Sequence, residues 1–363
     1  MLNRRSFFGH RWNRRFSKHG PAAAIGIGAG LAAAVLFMLA SRGTLATAAL
    51  ANLSPLPVMI AVLGFGVIAG AASVLSAMIT VAALVYAQQS FGHIDAAALA
   101  GLIFALFLGM PAFWLSLLSV LSRAKGSPNW VVTTRVGSFF AREYCPIERV
   151  IAYAASICAT IGVAMAIYVV DVYGGFDTAV QKLSAEIAPY VERMINPKVQ
   201  LPAGADVHYL AKLTLLSAAP AAAAGSLVML MLDLWLAGRI VQLSGQLPRP
   251  WPDIPRELRL PQAYLLVFGA CAIAGPFLSG LPGLILIIVA ATIGVAFALT
   301  GLAAVHHLTR GMAFRIPLLT LVYIGLAFPP AWLFVVLALL AAGIAETAFS
   351  LRDRKDRALL RKK

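Results

Sequence analysis

Apolar stretches of eighteen residues or more recur from residue 21 to residue 349, and that feature constrains the chain more than any other. Hydrocarbon holds no water to bond an exposed backbone, so each stretch must satisfy its own amides, which a helix does. A crossing of roughly 30 Å takes about 20 residues at the helical rise. Composition agrees with this reading. Apolar residues make up 61% of the chain and charged ones 12%, whereas soluble domains run near one-quarter charged. The expected fold is all-α, a polytopic transmembrane helical bundle of about 8–10 membrane segments.

Measured by that length, residues 21–40 form one span. Residues 55–88 are too long for one straight helix, and Gly64, Gly66 and Gly70 offer a break, so two short spans are expected. Further spans fall at 96–121, 150–172 and 209–241. Residues 260–279 and 281–305 make a hairpin at the Gly280-Leu-Pro282 break. The run 316–349 is interrupted at Pro329 and Pro330, which lack backbone donors and favour a re-entrant or short helical hairpin. The organisation is a basic segment 1–20, a single transmembrane domain 21–349 and a basic tail 350–363.

Net charge is +15, from 29 Lys and Arg against 14 Asp and Glu. These cations do not gather on a folded basic domain. The N-terminus, the loop 122–149, the loop 239–259, the turn 305–315 and the C-terminus together hold 24 of the 29. Cationic connectors stay on the cytoplasmic side, so with ten segments all five face that side and both termini are cytoplasmic. Such clusters can rest against anionic headgroups at about 1 kcal/mol per cation. With no recognition fold beside the charge, nucleic acid is not an expected partner. The lipid bilayer is.

Residues 173–206 form the longest stretch outside the hydrocarbon. Leu183, Ile187, Tyr190, Val191, Met194 and Ile195 recur at helical spacing, with Lys182, Glu186, Glu192 and Arg193 around the rest of the wheel. An amphipathic interfacial helix broken near Pro189 is expected, serving either as a lid over an outward cavity or as a surface tether.

Several chemistries leave no trace. There is no H-E-x-x-H pair, G-x-S-x-G elbow, Walker A loop or acidic cluster for Mg²⁺, so an enzyme is not expected. Cys145, Cys158 and Cys271 share no short spacing and form neither a disulfide framework nor a metal motif. His306 and His307 are adjacent and cannot share a helix face. No metal and no cofactor is expected. The acid that hydrocarbon makes costly is Asp233, about 9 Å deeper than Arg239 at the helical rise, with Trp235 two positions on. It is either a helix-docking group or a substrate or proton site. Asp171 with Tyr173, like Asp95 with His93 and Asp206 with His208, falls at an outer end where it either rings an opening or is a solvated helix end. Ala22, Gly26, Gly30 and Ala34 recur every four residues and make a flat stripe for close helix packing, against this chain or another subunit.

Residues 232–239 (Leu232-Asp-Leu-Trp-Leu-Ala-Gly-Arg239), Ser244-Gly245, Arg249-Pro-Trp-Pro-Asp253 and Leu258-Arg-Leu-Pro261 resemble the YybS-like bacterial predicted membrane proteins, a domain family without an established activity. Ser54-Pro-Leu-Pro57, Gly64-Phe-Gly66 and residues 301–310 extend the resemblance over nearly the whole chain after residue 20. It implies a multi-pass protein of the bacterial inner membrane. That family is distantly similar to the substrate-capturing membrane subunits of energy-coupling-factor importers, in which a small-residue stripe on the first span docks a coupling protein. This chain has more expected segments than the usual six, and no substrate-specific motif carries over. The expected function is non-enzymatic: binding or translocating a small molecule or lipid through Asp233, Trp235, Asp171 and Tyr173. The rival is a membrane scaffold with no ligand of its own.

Overall fold

The computed structural model describes residues 7–88, 93–124, 129–132, 142–194 and 206–361, residues 7–19 and a few others by backbone alone. Ile195 of the expected amphipathic helix, and Arg4, Arg5, Lys125, Arg135, Lys362 and Lys363 among the counted connector cations, lie outside the described residues. Fifteen helices follow in order among those described: α1 Phe7–Met38, α2 Leu45–Asn52, α3 Pro55–Phe65, α4 Val67–Gln88, α5 Ile94–Phe104, α6 Met110–Val120, α7 Ile147–Val172, α8 Phe176–Met194, α9 Val207–Leu243, α10 Ile254–Glu257, α11 Ala263–Ala274, α12 Gly280–Leu308, α13 Arg315–Ala327, α14 Pro329–Phe349 and α15 Leu351–Leu360. Eight stretches among the described residues are long and apolar enough to cross a membrane, and Ala263–Phe277 and Arg315–Ala327 are shorter apolar helices. The fold is an all-α polytopic membrane bundle.

The breaks occur where backbone chemistry demands them. Gly66 at φ 89° separates α3 from α4, in the left-handed region that glycine enters without a Cβ penalty. Phe328 is extended because a proline follows it, and Pro329 then opens α14, where no amide donor is needed. Between α5 and α6 a π turn, Ala105–Gly109, absorbs a residue just before Pro111, so 94–120 continues as one apolar stretch.

Two features differ from expectation. In place of the expected loop at 122–149, Leu121–Ala124, Val131–Val132 and Arg142–Tyr144 form a small antiparallel sheet with Leu121–Ala124 in the centre. Strands of two to four residues are too short to show a period of two. Pro189 also does not break α8, which runs through it. Pro189 and Ala185, four residues earlier, are both exposed, so the carbonyl released by the missing N–H can meet solvent.

The contacts gather into two compact units that interleave along the chain. Unit 1 comprises 1–150 and 229–252; unit 2 comprises 151–228 and 253–363. In unit 1, α1 packs along α4, α4 against α5, and α3 between α4 and α6. The expected small-residue stripe is filled here from within. A Cβ on Gly26 would meet the Ala69 carbonyl and, at 2.8 Å, the Ala72 methyl; one on Gly30 would meet the Ser73 carbonyl and the Ser76 hydroxyl. Ser76 donates to the Ile27 carbonyl at 3.2 Å. In unit 2, α12 is central and packs against α11 and α14. Gly301 and Gly343 lie backbone to backbone there, each leaving no room for a side chain.

Candidate functional site

Asp233 lies in unit 1 on the buried face of α9, in register with Leu230, Leu234, Ala237 and Val241, all 4% exposed or less. One turn along, the ring of Trp251 covers Gly238, and Val241 reaches to 3.5 Å of the space beside Gly64. These contacts explain why the helix turns this face inward: small residues admit the ring and α3, and leucines fill the remainder. Asp233 is carried to the interior with them. It is 0% exposed, and neither carboxylate oxygen has a hydrogen-bond partner among the described residues. Arg239 does not reach it, since its guanidinium donates to Gln242 at 2.8 Å on an exposed surface. An isolated carboxylate in hydrocarbon costs several kcal/mol unless a proton or a positive group joins it.

The other expected site residues lie on a different face of α9 or on other elements. Trp235, two positions on and therefore about 200° around the helix, is 45% exposed on the outer face. Asp171 is exposed and Tyr173 half-buried at the end of α7, where Gly174 and Gly175 turn the chain into α8. Both belong to unit 2, and the Lys182 ammonium sits 6.0 Å over the Tyr173 ring. Asp206 accepts from the Tyr209 amide at 2.7 Å and so caps α9. In α8, Leu183, Ile187 and Val191 are half-buried while Tyr190 and Met194 are exposed. Among the described residues no three His, Cys, Asp or Glu gather as a metal site. His306 bonds the Tyr323 hydroxyl at 2.8 Å and His307 the Asp356 carboxylate at 3.1 Å.

Motif residues 249–251 have a structural place in unit 1. Arg249 is 9% exposed, donates at 2.7 Å to the Ser119 carbonyl at the end of α6 and at 3.3 Å to that of Cys145, and lies 4.9 Å over the Tyr144 ring. Tyr144 in turn donates to the Pro248 carbonyl at 3.3 Å. One side chain thus ties the sheet, the end of α6 and the following loop. Burial pushes the neighbouring Cys145 thiol above its ordinary range, against the opposing pull of Arg149 and Arg249.

Sequence reasoning passed over a second polar centre, in unit 2. Arg352 is fully buried and bonds Glu346 through Nε at 2.9 Å and through its own amide at 3.1 Å. Its remaining guanidinium nitrogens donate at 2.8 Å to the carbonyls of Pro255 and Leu258. Arg259 pairs with Asp353, Arg310 holds Asp253 through two bonds of 2.6 Å, and Lys355 caps the end of α12 at the carbonyls of Leu308 and Arg310, 2.8 Å each. The available signal was Glu346, an acid inside an apolar run six residues before an arginine. This centre fastens α15 and the loop before α11 onto α12; it is a clamp with its hydrogen-bonding capacity spent internally.

The clamp carries a pH dependence. The Arg259 guanidinium holds Asp353 below the usual carboxylate range, and Arg310 does the same for Asp253. A lowered folded value means stability that is complete above the ordinary pKa of about 4 and is lost as pH falls through the folded value. Both side chains are over a third exposed, 47% and 40%, so solvent screening keeps each contribution under about 1 kcal/mol. Amide exchange in α15 should accelerate, relative to α12, as pH is taken below about 4; equal protection of α15 and α12 across that range would contradict the assignment.

No family model, curated protein or solved structure matches this chain.

Proposed function

We propose that the chain is a non-enzymatic membrane protein that binds, or helps to translocate, a small molecule or lipid within its bundle, with Asp233 as the polar contact inside the membrane. The observation that carries this is the carboxylate of Asp233, fully buried in a membrane-crossing helix with both oxygens unpartnered among the described residues. Intramembrane acids of this kind mark substrate or proton pathways. A cationic or protonated group suits that position best, since it supplies the missing positive charge. We further propose that the basic connectors face the cytoplasm of a bacterial cell and that the likeness to YybS-like proteins reflects kinship. Docking of a coupling subunit on the α1 stripe is not part of this proposal, because Gly26 and Gly30 of that stripe are packed against α4.

Native mass spectrometry of the full chain in a mild detergent tests the reading. The wild type should retain an adduct whose occupancy falls about tenfold or more in Asp233→Asn, as expected for a lost hydrogen bond to a charged group. Identical adduct profiles in the two proteins would remove the basis for a site at Asp233.

A further inference from the structure

In unit 2 a groove of about 470 Å³ runs along one face of α13, lined by Ile316, Leu319, Thr320, Tyr323, Ile324 and Ala327. These positions recur at three- and four-residue spacing, so they form a continuous stripe along the helix rather than scattered contacts. Ile316 is 76% exposed and Ile324 59%, which leaves the stripe open along its length. Its opposite side is committed: Gly325 is buried against Val335 of α14.

Charge distinguishes this groove from an ordinary lipid-facing surface. Arg315 stands at its mouth, as the first residue of a helix whose first turn holds no acid. Long side chains on a helix lean toward its N-terminus, so Tyr323 points its ring back toward the same mouth. There its hydroxyl meets His306 at 2.8 Å, and Arg315 and Arg310 are both close enough to act on that imidazole. The acids beside Arg310 and His307 are already engaged: Asp253 holds Arg310, and Asp356 holds His307 and Arg256. Arg315 itself forms no ion pair or side-chain hydrogen bond among the described residues. The groove therefore has an apolar floor, and its mouth carries a positive charge that the protein does not neutralise.

We propose that this groove is a binding site for an anionic phospholipid, with one acyl chain along Ile316–Ala327 and the phosphate at Arg315 beside the Tyr323 hydroxyl. The floor supplies contact area to any lipid, and Arg315 with the positive end of the α13 dipole supplies the preference for negative charge. The lining does not include Asp233, and the site does not depend on the function proposed for that residue.

The test uses the full chain in mild detergent, titrated with phosphatidylglycerol and phosphatidylethanolamine of identical acyl chains and read by native mass spectrometry. The wild type should favour phosphatidylglycerol about fivefold, the amount one cation at a membrane surface supplies. Arg315→Gln should bring the two lipids to parity, Thr320→Trp should fill the groove and reduce binding of both, and Asp233→Asn should leave the preference intact. Raising salt on the wild type should weaken the preference without any substitution, which guards against a variant that folds poorly. Equal binding of the two lipids to the wild type would show bulk lipid contact only, and a preference surviving in Arg315→Gln would place the site elsewhere; either result overturns the proposal.

Discussion

Replacing Arg352 with methionine should loosen α15 from its unit and cost about 3–5 kcal/mol, the penalty for leaving a buried charge without its partner. Glu346 would keep its carboxylate at 1% side-chain exposure without its hydrogen-bonded guanidinium, with only Arg259, 4.0 Å away, beside it. The carbonyls of Pro255 and Leu258 would lose their donor at the same time. Burial pulls the Arg352 guanidinium down from its ordinary value while Glu346 pulls it up, so the ion is tolerated there because the carboxylate is present. Thermal unfolding in detergent, with protease nicking between residues 350 and 360, reads the effect. The double variant Glu346→Leu with Arg352→Met should recover much of the loss, since two apolar side chains leave no stranded charge. A single variant as stable as wild type would show that the clamp holds nothing.

Gly30→Leu should destabilise unit 1 by about 1–3 kcal/mol or more, because overpacking at a close helix crossing forces backbones apart. A first side-chain carbon at this position already collides with the Ser73 carbonyl and Ser76, and leucine adds three more. Gly28 provides the control within the same helix: a side chain there meets nothing within 4 Å. Gly28→Leu should therefore unfold at close to the wild-type temperature while Gly30→Leu unfolds well below it. Matching temperatures for the two variants would refute the close approach of α1 and α4.

The membrane segments were legible in the sequence because each is a local property of twenty or so residues. The break at Gly66 and the proline at 329 follow from backbone rules that act over a few positions, whereas residues 260–279, expected as a span, hold only the shorter apolar helix 263–277. Asp233 was legible for the same reason: an acid in an apolar run is visible without knowing what surrounds it. Its surroundings were not. Trp235 is near Asp233 in sequence, and the helical turn sends it to the opposite face. The ion pairs of unit 2 were hidden by separation, since Arg259 and Asp353 lie 94 residues apart and no periodicity joins them. The small sheet escaped for the opposite reason, with strands too short to carry a pattern.

The two units are threaded through one another in the order of synthesis, which bears on how the protein can be made. Unit 1 begins at the N-terminus but waits for residues 229–252 before Trp251 can settle on Gly238 and Arg249 can tie the end of α6. The polypeptide between those two contributions belongs to the other unit, and α9 supplies both. Asp253 and Arg259 leave the ribosome long before Arg310, Arg352 and Asp353 arrive to neutralise them. Neither unit therefore exists as a contiguous fragment that a shortened gene could encode, and a nascent chain stalled after α14 would hold a half-built ion network awaiting the ten residues of α15.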